Sequence, residues 1–143
     1  MLPRFNSSFS HEVKMEKIKE LFVVIENKPG VLGELLGHLA KAKININAIG
    51  MFQDVAKISL TDHEKARKAL IRHGYQTEER EVLRVHLQDK PGAFAAVASR
   101  LGRAGINIDY CYGTVGKGQR SASVIIDVQN PDGAIAVLKK GAK

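Results

Sequence analysis

The sequence predicts an α+β fold: two similar modules in tandem, each with a small antiparallel sheet and its helices on one face. Three observations carry this reading. The stretch from Asn27, NKPGVLGELLGHLAKAKININ, returns from Asp89 as DKPGAFAAVASRLGRAGINID, at a constant offset of 92 − 30 = 62. Each copy follows a strand-like segment and itself carries apolar residues at helical spacing. The composition, 44% hydrophobic and 26% charged, suits packed cores under an ordinary polar surface. Length alone, 143 residues, would suggest one domain, and the repeat overrides that estimate. The expected divisions are a disordered N-terminal extension over 1–16, a first module over 17–81 and a second over 82–143. Modules this small bury little surface alone and gain from packing on each other.

The elements follow in order. Residues 83–88, Leu-Arg-Val-His-Leu-Gln, alternate apolar and polar, the mark of a half-buried strand. Their counterpart, residues 21–26, keeps Leu21, Val23 and Ile25 on one face and Phe22 and Val24 on the other. A Pro-Gly step then breaks each strand. Leu32, Leu35, Leu36 and Leu39 follow at helical spacing, matched by Phe94, Val97, Ala98 and Leu101. Gly105 suits the left-handed residue that closes the second of these helices. Lys43 stands at the matching place in the first module, where that conformation costs about 1 kcal/mol relative to glycine.

Next come strands over 44–52 and 55–60, and over 106–114 and 121–128. The first pair turns through Gln53-Asp54, a poor two-residue hairpin turn. The second pair has a longer turn around Gly116-Lys117-Gly118. A second helix in each module is capped at both ends. Thr61 or Asp62 starts one and Gly74 ends it; Asn130 with Pro131 starts the other and Gly141 ends it. Residues 75–82 supply a fourth strand to the first module, whereas the second module's terminal strand is expected to be short or missing. The order βαββαβ is that of a ferredoxin-like module. Phe22, Val24 and Ile125 fall on the helix-free face, which suits either a partner sheet or scattered surface hydrophobes.

Two copies of Lys-Pro-Gly after a strand, then an amphipathic helix and Ile-Asn-Ile, resemble the ACT domain, and the pair resembles the stand-alone tandem ACT-domain proteins. The resemblance implies a non-catalytic small-molecule sensor that binds an amino acid at the interface of two ACT modules and regulates amino-acid metabolism. It implies allosteric regulation, and the apolar residues of the helix-free face suggest a homodimer. It places ligand contacts at Asn27, Pro29, Gly30, Val31 and Leu32 in the first module, with Asn45 and Asn47 on its second strand. The equivalents are Asp89, Pro91, Gly92, Ala93, Phe94, Asn107 and Asp109. The chain departs from the family pattern in its short first hairpin, in Lys43 and in the missing terminal strand.

Physical chemistry gives those positions a reason. A Pro-Gly step leaves the amides of the following helical turn open, and the helix dipole adds partial positive charge, so a carboxylate fits there. Asn and Asp oxygens accept hydrogen bonds from an ammonium group. Asn45 and Asn107 equally suit a turn-stabilising role after a helix end. Leu32 and Phe94 share helical spacing with core positions, so their main-chain amides are the better ligand contacts.

Other functions are disfavoured. The formal net charge is +7, from 22 Lys+Arg against 15 Asp+Glu. It divides into 13 − 10 = +3 over residues 1–80 and 9 − 5 = +4 over 81–143, interleaved with acids and without a stripe. RNA-binding modules of the same element order stack bases on central-strand aromatics. Here those strands, Val55–Leu60 and Ser121–Val128, carry none, so no nucleic-acid partner is expected. No nucleophile or Gly-rich phosphate motif occurs, and the histidines at 11, 38, 63, 73 and 86 are dispersed, so no catalytic residue, cofactor or metal is expected. Cys111 reads as a buried small hydrophobe. No apolar run approaches the ~20 residues of a membrane span. A single Cys and the lack of a secretory h-region suggest the cytoplasm. The remaining alternative is a regulatory or scaffold subunit that docks on a metabolic enzyme without binding ligand.

Overall fold

The computed structural model describes residues 13–88, 90–115 and 121–139. Ten elements follow one another: β1 (Lys14–Val24), α1 (Val31–Lys41), β2 (Ile46–Phe52), β3 (Val55–Leu60), α2 (His63–Arg72), β4 (Gln76–Gln88), α3 (Ala93–Arg103), β5 (Ile108–Val115), β6 (Ser121–Val128) and α4 (Pro131–Lys139). The chain divides into two compact units. One is Ile18–Glu81; the other joins residues up to Lys17 to those from Val82 onward. No helix among the described residues is long and apolar enough to cross a membrane.

In the unit Ile18–Glu81 the strand order is β2-β3-β1-β4. β1 pairs antiparallel with β3 (Leu21 opposite Ile58, Val24 opposite Val55), and β3 with β2 (Phe52 opposite Val55). The period-two pattern decides which side is core. Leu21, Val23 and Ile25 meet Leu35 and Leu39 of α1 and Leu70 of α2 in one buried cluster, completed by Ala56, Ile58 and Leu60. The other side of β1 carries Phe22, whose ring lies between the Lys57 ammonium at 4.5 Å and the Arg80 guanidinium at 4.1 Å. Two cations thus sit against the aromatic ring on the helix-free face. Val24 stays half exposed.

The caps form as their residues dictate. Asp62 accepts the Lys65 amide at 3.2 Å, and Gly74, at φ +87°, closes α2. Lys43 adopts φ +60°, the strained left-handed conformation its place requires. Gln53 does the same, at φ +56°, in the tight β2–β3 turn.

In the other unit the order is β1-β4-β6-β5, with antiparallel β4–β6 and β6–β5 registers. Leu83, Val85 and Leu87 pack with Val97, Leu101, Ile126, Val128, Ala134 and Leu138. Gly105 takes φ +78°, and the Asn130 side chain accepts the Gly133 amide at 3.0 Å to start α4. Gly141 lies outside the described residues, as does the hairpin tip over 116–120.

Two features differ from the sequence expectation. β1 begins at Lys14, inside the segment expected to be disordered over 1–16, of which residues 1–12 lie outside the described residues. Its first residues occupy the sheet position beside β4 that a terminal strand of the second module would fill. Val13 and Met15 pack on that unit's core, Glu16 meets His86 Nε2 at 2.9 Å, and Lys17 meets Asp132 at 3.0 Å. The reason is physical: the strand edge along residues 82–88 needs backbone partners, and an early segment with two apolar residues on one face supplies them. The second difference is Cys111, which is exposed rather than buried.

Candidate ligand-binding site

The two Pro-Gly turns are built alike. Gly30 has φ +87° and Gly92 φ +88°, each at the N-cap of its helix and without a side-chain cap. Only glycine takes that conformation without strain. Each turn closes on itself: the Val31 amide donates to the Lys28 carbonyl at 3.3 Å, and the Ala93 amide to that of Lys90 at 3.3 Å. The fourth amides return to the caps, Glu34 to Gly30 and Ala96 to Gly92, both at 3.0 Å. The amides between them, of Leu32 and Gly33 and of Phe94 and Ala95, find no acceptor among the described residues. Each turn thus leaves two open donors at the positive end of a helix, a corner whose electrostatics suit an anion.

The other candidate positions surround this corner unevenly. Asn27, Pro29, Pro91 and both capping glycines are exposed. Val31, Leu32, Ala93 and Phe94 are half-buried and lean on their cores, which leaves only their backbones for a ligand. Asp89 lies outside the described residues. Asn47 and Asp109 are the extra residues of two equivalent β-bulges, between Ile46 and Ala48 and between Ile108 and Tyr110. A bulge re-aims its side chain out of the ladder.

Thr61 gathers the first-module pair: its amide donates to the Asn45 carbonyl at 3.2 Å and its hydroxyl to Asn47 Oδ1 at 3.3 Å. In the second module Asn107 Nδ2 donates to Asp109 Oδ1 at 2.9 Å. These are the pairs that the structure brings together. No hydrogen bond among the described residues joins either set to the Pro-Gly corner of its module.

Sequence reasoning missed a second concavity. A groove of about 370 Å³ opens in the unit Ile18–Glu81, between the end of β1, the outer side of α1 and the end of α2. His38 and His73 line it, stacked with centroids 3.8 Å apart, and Tyr75 meets His38 edge-on at 5.8 Å. Burial, and then the Glu34 carboxylate, hold the Tyr75 hydroxyl above its ordinary pKa of 10.0. These residues come from separate elements with no common period, so no spacing could have joined them. The one available signal was a break in the repeat, His38 against Arg100.

A family model described as the ACT domain matches residues 82–140. The crystal structure of protein BT0572 from Bacteroides thetaiotaomicron is similar, with 31% identity over 88% of this chain and 89% of that one, and a TM-score of 0.81. The regulatory subunit of aspartate kinase from Thermus flavus shares the fold at 18% identity, covering 92% of this chain and 97% of that one with a TM-score of 0.66. E. coli aspartokinase III, solved in complex with lysine and aspartate, does so at 16% identity and a TM-score of 0.59, over 92% of this chain and 32% of that one. None of the curated proteins matches.

Proposed function

The chain belongs to one family with the Bacteroides protein and carries an ACT domain at residues 82–140, and from that premise we propose that it is a non-catalytic sensor of an amino acid in the regulation of amino-acid metabolism. The observation that carries the reading is the duplicated corner: a left-handed Gly30 or Gly92, and beyond it two amides, of Leu32 and Gly33 or of Phe94 and Ala95, without an acceptor among the described residues. A ligand carboxylate accepts from Leu32 and Gly33, or from Phe94 and Ala95. Its ammonium group turns to polar side chains where the module meets another ACT module, as in a homodimer. Asn27, Asn45 and Asn47 are the first-module acceptors, and Asn107, Asp109 and Asp89 their counterparts.

Because Asp109 is charged and Asn47 is not, the two corners differ in their attraction for an ammonium group. Ligand held this way favours the arrangement that contacts it on both sides, which is the differential affinity that allosteric regulation requires.

A thermal-shift screen of the full chain against the twenty amino acids tests the reading. A ligand at one hundred times its Kd adds about 2.7 kcal/mol to stability, a readily visible rise in Tm. Replacing both Gly30 and Gly92 by valine should remove the shift, since valine resists positive φ. No shift with any amino acid at millimolar concentration overturns the proposal.

A further inference from the structure

The residues around the groove at His38 carry different charges from those at the matching positions of the other copy of the repeat. There the equivalent residue is Arg100 (38 + 62 = 100), whose guanidinium donates to the carbonyls of Val137 at 2.8 Å and Leu138 at 3.3 Å. A built-in cation thus lies against the last turn of that module's second helix, where the helix dipole is negative. In the first module that cation is missing. His38 instead stacks on His73, the residue that caps α2, and the space beside them is open.

The charge around the opening has changed in the complementary sense. Glu34 lines the groove and makes no ion pair among the described residues, whereas its counterpart is Ala96 (34 + 62 = 96). Glu26 stands on the rim beside Lys28 at 3.1 Å, and its counterpart is the uncharged Gln88 (26 + 62 = 88). Val24, Ile25 and Val31 give the groove an apolar side. The stacked His38 and His73 rings add flat surface, and the Tyr75 ring adds an aromatic face of the kind that attracts cations.

We infer that this groove binds a small organic cation, a primary ammonium on a short alkyl stem, held by the Glu34 carboxylate on the side of the helix pair where the other copy carries Arg100. The ammonium sits at Glu34, and the stem lies along Val31 and the stacked rings. The groove adjoins the Gly30 corner through Val31, but its cation is held by Glu34, so the inference stands whether or not the corners hold an amino acid.

The test is an NMR titration of the full chain with n-pentylamine, following the ring signals of His38, His73 and Tyr75, with pentanoate and pentanol as controls. Saturable shifts of those rings with the amine, and none with pentanoate or pentanol, are expected. His86, on the other unit, should not respond. Glu34→Gln, a conservative change at an exposed position, should weaken the response about tenfold, the size of one charge-assisted hydrogen bond. His38→Arg, which installs the second module's own cation, should abolish it. An equal response to pentanoate, an undiminished response in Glu34→Gln, or no saturable shift would overturn the inference. Loss of an amino-acid thermal shift with this titration intact would count against the corners alone.

Discussion

The two copies of the repeat share a backbone plan and differ in how their side chains use it. Both place glycine at φ near +87° before the first helix, both bulge the second strand two residues after Asn45 or Asn107, and both start the second helix with an Asx cap. These are positions where the path of the chain leaves little choice. Where the path permits several residues, the copies diverge: Lys43 against Gly105, His38 against Arg100, and a local fourth strand against one drawn from the N-terminal end. The repeat therefore conserves conformation more strictly than chemistry. The chemical differences mark where the copies can have separate tasks.

That contrast can be tested, beginning where the modules should behave alike. Leu39 and Leu101 are equivalent and both fully buried. Changing either to alanine should cost about 2–5 kcal/mol by chemical denaturation, and a large inequality would mean that the cores are not equivalent. Deleting residues 1–17 should break the symmetry. The unit containing β5 and β6 should lose about 2–4 kcal/mol, from Val13, Met15 and the strand they anchor, while Ile18–Glu81 keeps its hydrogen-exchange protection. Equal loss of protection in both units would refute that assignment of the strand.

Arg100→Ala removes two hydrogen bonds to carbonyls at a helix end and should cost about 1–2 kcal/mol. His38→Ala loses only a ring stacking worth about 0.5 kcal/mol, so the Tm changes should rank in that order. The left-handed position permits an exchange: Lys43→Gly should stabilise by about 1 kcal/mol and Gly105→Lys should destabilise by about as much.

The smallest effect is in pH. Tyr75 holds its proton more tightly when folded, first through burial and then through Glu34. Its contribution is complete below pH 10.0, the ordinary tyrosine value, and is lost as pH rises through the higher folded value. Absorbance titration at alkaline pH should show this tyrosine ionising late, and Glu34→Gln should bring it earlier.

Most of the local structure was legible because it is set by near neighbours. Pro-Gly, the Asp62 and Asn130 caps, and the leucine spacing of the first helices each act within a few residues. β1 was legible only from Leu21 onward. Before it, Glu16-Lys17-Ile18-Lys19-Glu20 reads as a solvated mixed surface, yet Glu20 is fully buried. That strand exists because a distant edge accepts it, and pairing across 70 residues leaves no local trace. The glycine corners were foreseeable for the same near-neighbour reason. The groove was not, since His38 and His73 meet through two helices whose packing no period encodes. Phe22 was read as apolar surface, but its flanking cations arrive from β3 and β4.

The N-terminal strand also constrains the order in which the molecule is completed. Asp132, the partner of Lys17, is made 115 residues after it. At about 5–20 residues per second, that leaves an interval on the order of ten seconds. Through that interval Ile18–Glu81 can close its own sheet, while Val13 and Met15 have no core to enter. The pairing of β1 with its distant partners therefore waits on residues made long after its own.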